Sequence, residues 1–95
     1  MAVTALVNVD TRERYALSRD AKVTVGRAED NHLCLKNDVY ASGRHAEIFF
    51  NKEGIIIKDL DSRNGTYKNG APVIGEVSAD KGDVITFGRT KFELQ

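Results

Sequence analysis

The sequence predicts an all-β fold, an antiparallel sandwich or barrel built from many short strands. Three observations carry this. No window of helical length places apolar residues at i, i+3, i+4 and i+7. Short runs rich in β-branched and aromatic residues recur instead. Clusters of Gly, Asn, Asp and Ser separate those runs at even intervals, and nothing suggests βαβ units.

Taken in order, positions 3–9 alternate apolar and polar residues, and 15–17 follow a turn at Asp10-Thr11-Arg12. Positions 22–26 alternate again, with Val23 and Val25 on one face. A short run at 33–35 includes Cys34, which reads as a small apolar core residue rather than a reactive thiol. Strands at 46–50 and 55–60 flank Asn51-Lys52-Glu53-Gly54, where Gly54 can adopt the positive φ of a hairpin loop. Positions 66–68 run into Asn69-Gly70, a strong two-residue hairpin signal. Val73 and Val77 are isolated short-strand candidates. After a turn at Lys81-Gly82-Asp83, strands at 84–87 and 91–94 meet around Gly88-Arg89-Thr90.

A length of 95 residues predicts one compact domain, 1–95. The 14 basic and 14 acidic side chains cancel, which argues against a general nucleic-acid binder. A balanced total still permits a local anion site. A single cysteine excludes a disulfide framework within the chain. No stretch approaches the ~18 apolar residues of a membrane-spanning helix. The opening run MAVTALVNVD has no basic region before its apolar part, so no signal peptide is expected. A cytoplasmic setting, no membrane partner and a monomeric isolated domain are the resulting expectations. No metal-ligand spacing appears, since His32 and His45 lie far apart beside one Cys, and no motif calls for a cofactor. Asn64-Gly65-Thr66 matches a glycosylation sequon, but a turn is the better reading without a signal peptide.

Two loops break the rhythm of strands, at 36–44 and 61–65. They hold Ser42, Arg44, Ser62, Arg63 and Asn64, and Arg27 closes a strand just after Gly26. Together these offer guanidinium forks, hydroxyls, an amide and backbone N–H groups near Gly43 and Gly65. No carboxylate falls within 42–45 or 62–66. Such donors suit a phosphate, which carries about −1.5 to −2 charges and strong acceptor oxygens. Arginine binds it bidentately. By composition alone, ordinary polar turns would look the same.

The spacing adds to this. Gly26-Arg27, Ser42-Gly43-Arg44-His45, Asp59, Ser62-Arg63-Asn64-Gly65-Thr66, Asn69-Gly70, Gly82-Asp83 and Gly88 occur in that order. This series resembles the forkhead-associated family over about positions 22–95. The resemblance implies a sandwich of about eleven strands whose loops at one end bind phosphothreonine in an extended peptide of a partner protein, for signalling or assembly. It implies that Arg27 and Ser42 hold the phosphate and that Asn64 bonds the peptide backbone. Arg44 falls among the phosphate contacts and Arg63 among the peptide contacts. Gly26, His45, Gly65 and Thr66 are implied to be structural anchors of the loops. Gly43 departs from the family pattern, where Asn, Arg or Lys is common; it removes one side-chain contact and loosens the loop.

Two other functions compete. Ser42, His45 and Asp59 or Asp61 supply the ingredients of a hydrolase triad. The serine lacks a Gly-x-Ser-x-Gly elbow, no second feature marks an oxyanion hole, and His45 leads directly into an apolar strand. No catalytic residue is therefore assigned, and the chain is not expected to be an enzyme. A phospho-independent interaction module of the same fold would not need Arg27, Ser42 and Asn64 together.

Overall fold

The computed structural model describes residues 3–95, so the first two positions of the opening run lie outside it. Among the described residues there are eleven strands and no helix. They are β1 (Ala5–Asn8), β2 (Arg14–Ala16), β3 (Val23–Gly26), β4 (Leu33–Cys34), β5 (Ala46–Asn51), β6 (Gly54–Asp59), β7 (Thr66–Lys68), β8 (Ala71–Pro72), β9 (Glu76–Ala79), β10 (Val84–Phe87) and β11 (Thr90–Leu94). They form two sheets, ordered β2-β1-β11-β10-β7-β8 and β4-β3-β5-β6-β9. The fold is therefore a sandwich and not a barrel.

Alternation along the strands supplies the two inner faces. Val23, Val25, Ala46, Ile48, Ile55 and Ile57 face inward from the five-stranded sheet. Leu6, Ile85, Phe87, Phe92 and Leu94 meet them from the other. Full burial of one such side chain stabilises the fold by about 1.5–3 kcal/mol. The Asn69-Gly70 turn has positive φ at both residues, 51° and 85°, which matches the twist of the β7–β8 hairpin. The Asn69 amide also accepts from the Val84 N–H at 2.8 Å and donates to Asp83 at 3.0 Å, tying β7 to the start of β10.

Four expectations need correction. The pair β3–β4 is parallel, against an otherwise antiparallel set. Six residues must then turn the chain back on itself between the two strands, which makes 27–32 a compact loop. Val73 is not in a strand; it is a buried residue after β8, and its N–H donates to the Thr66 carbonyl at 2.8 Å. Positions 35 and 60 lie just beyond their strands. Cys34 is half-buried on the edge strand, with Sγ 3.7 Å from the Arg27 carbonyl, and it is Leu35 that joins the core.

The registers bring the functional loops to one end. Ala46 pairs with Val25 and Asp59, so the β3–β4, β4–β5 and β6–β7 connections share that end. Phe87 pairs with Thr66 and Asn8 with Phe92, which adds the β10–β11 and β1–β2 turns from the other sheet.

Candidate functional site

Gly26 ends β3 where the β4–β5 loop crosses over it. The Arg27 N–H donates to the Ser42 carbonyl at 2.9 Å, and the Ala28 N–H donates to the Gly43 carbonyl at 3.2 Å. A β-carbon on Gly26 would lie 2.2 Å from the Gly43 oxygen, so only glycine permits this approach. The two loops that carry Arg27 and Ser42 are thereby fixed against each other.

Asn31 holds the same junction from inside. It is buried, and its amide donates to the Ala28 carbonyl at 2.8 Å and the Gly43 carbonyl at 2.7 Å. Its Oδ1 accepts from Arg44 at 3.4 Å, and the Arg44 guanidinium also pairs with Asp30. Sequence reasoning missed Asn31. An Asn in a short polar loop looks like any turn residue, and its burial follows only from the loop crossing.

His45 is fully buried and meets the Phe87 ring edge-on at 5.9 Å between centroids. Its Nδ1 accepts the Ser42 N–H at 3.0 Å. That bond leaves the proton on Nε2, which donates to the Gly65 carbonyl at 2.9 Å. The imidazole thus joins the β4–β5 loop to the β6–β7 loop. Both ring nitrogens are engaged with backbone, and neither bonds the Ser42 hydroxyl.

The β6–β7 loop is organised by Asp59. Its carboxylate accepts the Ser62 N–H at 3.1 Å, the Ser62 hydroxyl at 2.6 Å and the buried Thr66 hydroxyl at 2.7 Å. This arrangement turns the following residues toward Ser42. The Ser42 Oγ accepts the Arg63 N–H at 2.9 Å, and the Asn64 amide donates to the Tyr40 carbonyl at 2.8 Å. The Asn64 Oδ1 and its second amide hydrogen have no partner among the described residues.

The third support is Asp38. Its carboxylate accepts from the Tyr40 N–H, the Arg89 N–H and the Thr90 hydroxyl at 2.9, 2.9 and 2.6 Å. Burial alone would raise its pKa, but these donors outweigh burial and hold it below the ordinary 3.8. The β4–β5 loop is thus clamped to the β10–β11 turn, where a β-carbon on Gly88 would come 2.8 Å from the Ala41 nitrogen.

The outcome is a loop cluster in which hydrogen bonds bring Arg27, Arg63 and Asn64 around the Tyr40–Ser42 segment. Arg27 and Arg63 are exposed, and among the described residues neither guanidinium has a carboxylate partner. Arg44 stands beside them but is already paired. Gly43 is exposed, with open space around its α-carbon. Among the described residues no three His, Cys, Asp or Glu side chains cluster as metal ligands would. The surface offers cationic and hydroxyl donors without an acceptor-rich centre, which fits an anion of phosphate size.

Comparison with known proteins agrees with this geometry. The FHA domain signature matches residues 23–88. FhaB, an FHA domain-containing protein of Mycobacterium tuberculosis, is 39% identical over 85 residues, covering 90% of this chain and 54% of FhaB. The chain thus spans about half the length of that curated relative. A solved structure from a study of phosphothreonine-dependent FHA domain interactions is 30% identical, with a TM-score of 0.87 and coverage of 99% and 96% of the two chains. The FhaA FHA domain, solved in complex with the intracellular domain of Rv3910, is 31% identical with a TM-score of 0.84, covering 99% of this chain and 100% of that one. A shared signature over most of the length and a shared sandwich lead to one conclusion: the chain belongs to the FHA domain family.

Proposed function

We propose that this domain binds phosphothreonine in an extended segment of a partner protein and works by binding, not by catalysis. The observation that carries the reading is that Arg27, exposed and without a carboxylate partner among the described residues, is bonded through its backbone N–H to the Ser42 carbonyl, on two loops locked together at Gly26 and Gly43. A charge-assisted hydrogen bond from such an arginine contributes about 1.5–3 kcal/mol. Arg27 and Ser42 hold the phosphate, and Asn64 with Arg63 holds the adjacent peptide. Arg44 shares its guanidinium between Asp30 and the phosphate. Gly26, His45, Gly65 and Thr66 support the loops without touching ligand.

The binding of relatives supports this reading. One was solved in a study of phosphothreonine-dependent interactions, and another in complex with a partner's intracellular domain. Catalysis is disfavoured because the His45 nitrogens serve backbone groups and leave no base for Ser42. In this reading the domain is a cytoplasmic, monomeric adaptor that recruits phosphorylated partners in signalling or assembly.

The test is calorimetric titration with matched peptides, phosphorylated and unphosphorylated on one threonine. The phosphorylated form is expected to bind at least tenfold more tightly, about 1.4 kcal/mol or more. Equal affinity for the two would assign the surface to a phospho-independent interaction of the same fold.

A further inference from the structure

Of Arg27, Arg44 and Arg63, only Arg44 meets a carboxylate among the described residues. Its partner is Asp30, on the β3–β4 loop that also carries Arg27. A second acceptor holds the same guanidinium. The Asn31 amide nitrogen donates to the Ala28 and Gly43 carbonyls, so its Oδ1 is turned the other way and accepts from Arg44 at 3.4 Å. Arg44 is thus drawn onto two acceptors of the 27–32 loop.

The ion pair does little for the fold. The crossing of the two loops is already held by the Arg27 N–H on the Ser42 carbonyl, the Ala28 N–H on the Gly43 carbonyl and the buried Asn31 amide. The Arg44 and Asp30 side chains are 57% and 65% exposed, and a pair so open to water contributes little stability. Such a pair exchanges readily. A phosphate carries about −1.5 to −2 charges against the single charge of Asp30, and its oxygens match the guanidinium fork, so it can draw the cation from the carboxylate.

We propose that Asp30 is a built-in competitor of the phosphate for Arg44 and thereby limits how tightly the domain holds a phosphopeptide. The inference rests on the phosphopeptide reading given above. Before the ligand arrives, Asp30 alone holds the guanidinium and neutralises it. The phosphate gains Arg44 only by loosening it from Asp30, so the new contact is partly offset by the one lost. Arg27 and Arg63 have no such competitor and serve the ligand directly. Asp30 is a positioning residue: it acts through Arg44 and does not touch the ligand.

The experiment titrates one synthetic phosphothreonine peptide with neutral flanks into the wild-type domain, D30N, D30E, R44Q and the double variant D30N/R44Q, with thermal midpoints measured as a check on folding. D30N is expected to bind about two- to fivefold more tightly than wild type, the range of an exposed ion pair, and D30E, which keeps the competing charge, to bind as wild type does. In the R44Q background the gain from D30N is expected to disappear. A D30N affinity equal to or below that of wild type overturns the competition. An equal gain in R44Q also overturns it, since Asp30 would then act by general repulsion and not through Arg44. A second readout needs only the wild-type fold. On saturation with the peptide, the carboxylate carbon resonance of Asp30 is expected to move toward its position in free R44Q, and a resonance that stays in place overturns the exchange. Absence of any phosphate-dependent binding to the wild-type domain overturns the phosphopeptide reading itself and the competition with it.

Discussion

The buried imidazole of His45 accepts the backbone N–H of Ser42 at 3.0 Å, so the residue offering the candidate phosphate-binding hydroxyl is held from below by a side chain that faces away from the surface. Its other nitrogen binds the Gly65 carbonyl, so one ring fixes both loops. His45→Ala leaves two partly buried backbone groups, the Ser42 N–H and the Gly65 carbonyl, without their partner and opens a cavity against Phe87. The expected loss of stability is about 2–4 kcal/mol. Thermal unfolding measures this, and phosphopeptide affinity should fall as well because the loops disorder. An unchanged midpoint with lost binding would point to direct contact instead.

Arg27 sits at the opposite extreme. Its side chain is exposed and its backbone makes the loop-to-loop bond, so Arg27→Ala should leave stability within about 0.5 kcal/mol. Phosphopeptide affinity should drop by about 2–4 kcal/mol, enough to erase calorimetric heat from a weak ligand. Retained affinity in this variant would remove Arg27 from the phosphate site.

Gly26 and Gly43 form a matched pair for substitution. A β-carbon on Gly26 meets the Gly43 carbonyl oxygen at 2.2 Å and the Asn31 amide at 2.9 Å, whereas one on Gly43 meets nothing within 4 Å. Gly26→Ala should cost about 1–3 kcal/mol and separate Arg27 from Ser42. Gly43→Ala should be tolerated within about 0.5 kcal/mol. Urea midpoints of the two variants compare them directly, and equal effects would contradict the observed crossing of the loops.

Asp38 carries a pH dependence. Burial opposes its charge, but the Thr90 hydroxyl and the Arg89 and Tyr40 N–H groups stabilise the carboxylate and lower its pKa in the folded state. A depressed carboxylate contributes stability that is present above its unfolded value of 3.8 and is lost as pH falls through the folded value. The gap in thermal midpoint between wild type and Asp38→Asn should therefore be full near neutral pH and shrink below about pH 4. A gap constant down to pH 2 would mean that the clamp does not depend on the charge.

Phosphothreonine should bind better than phosphoserine. Fixing the phosphate at Arg27 and Ser42 and the peptide backbone at Asn64 also fixes where the threonine γ-methyl points. Burying that methyl contributes about 0.8 kcal/mol, and β-branching reduces the rotamer freedom lost on binding. Titration of two peptides differing only in that methyl decides it. Asn64→Ala should weaken both affinity and discrimination.

Much of this protein is determined by local sequence. Alternation at Val23 and Val25, at Ala46 and Ile48 and at Ile55 and Ile57 fixes which face is buried, because strand side chains alternate with a period of two. Asn69-Gly70 fixes a hairpin, because both positions need positive φ. The spacing of Arg27, Ser42 and Asn64 was equally legible as a motif. Beyond the anchors Gly26, His45, Gly65 and Thr66, which the family resemblance implies, the tertiary structure alone decided what holds those residues. Asn31 became a buried brace, Asp59 and Asp38 became loop clamps, and Arg44 met Asp30, each through at least one bond that spans 7 to 52 positions. Such contacts have no local signature. An exposed turn Asp and a clamping Asp have the same neighbours in sequence and differ only in which distant backbone groups the fold delivers to them. The parallel β3–β4 pair was invisible for the same reason, since its direction is set by how the compact loop 27–32 folds back and not by the two residues of β4.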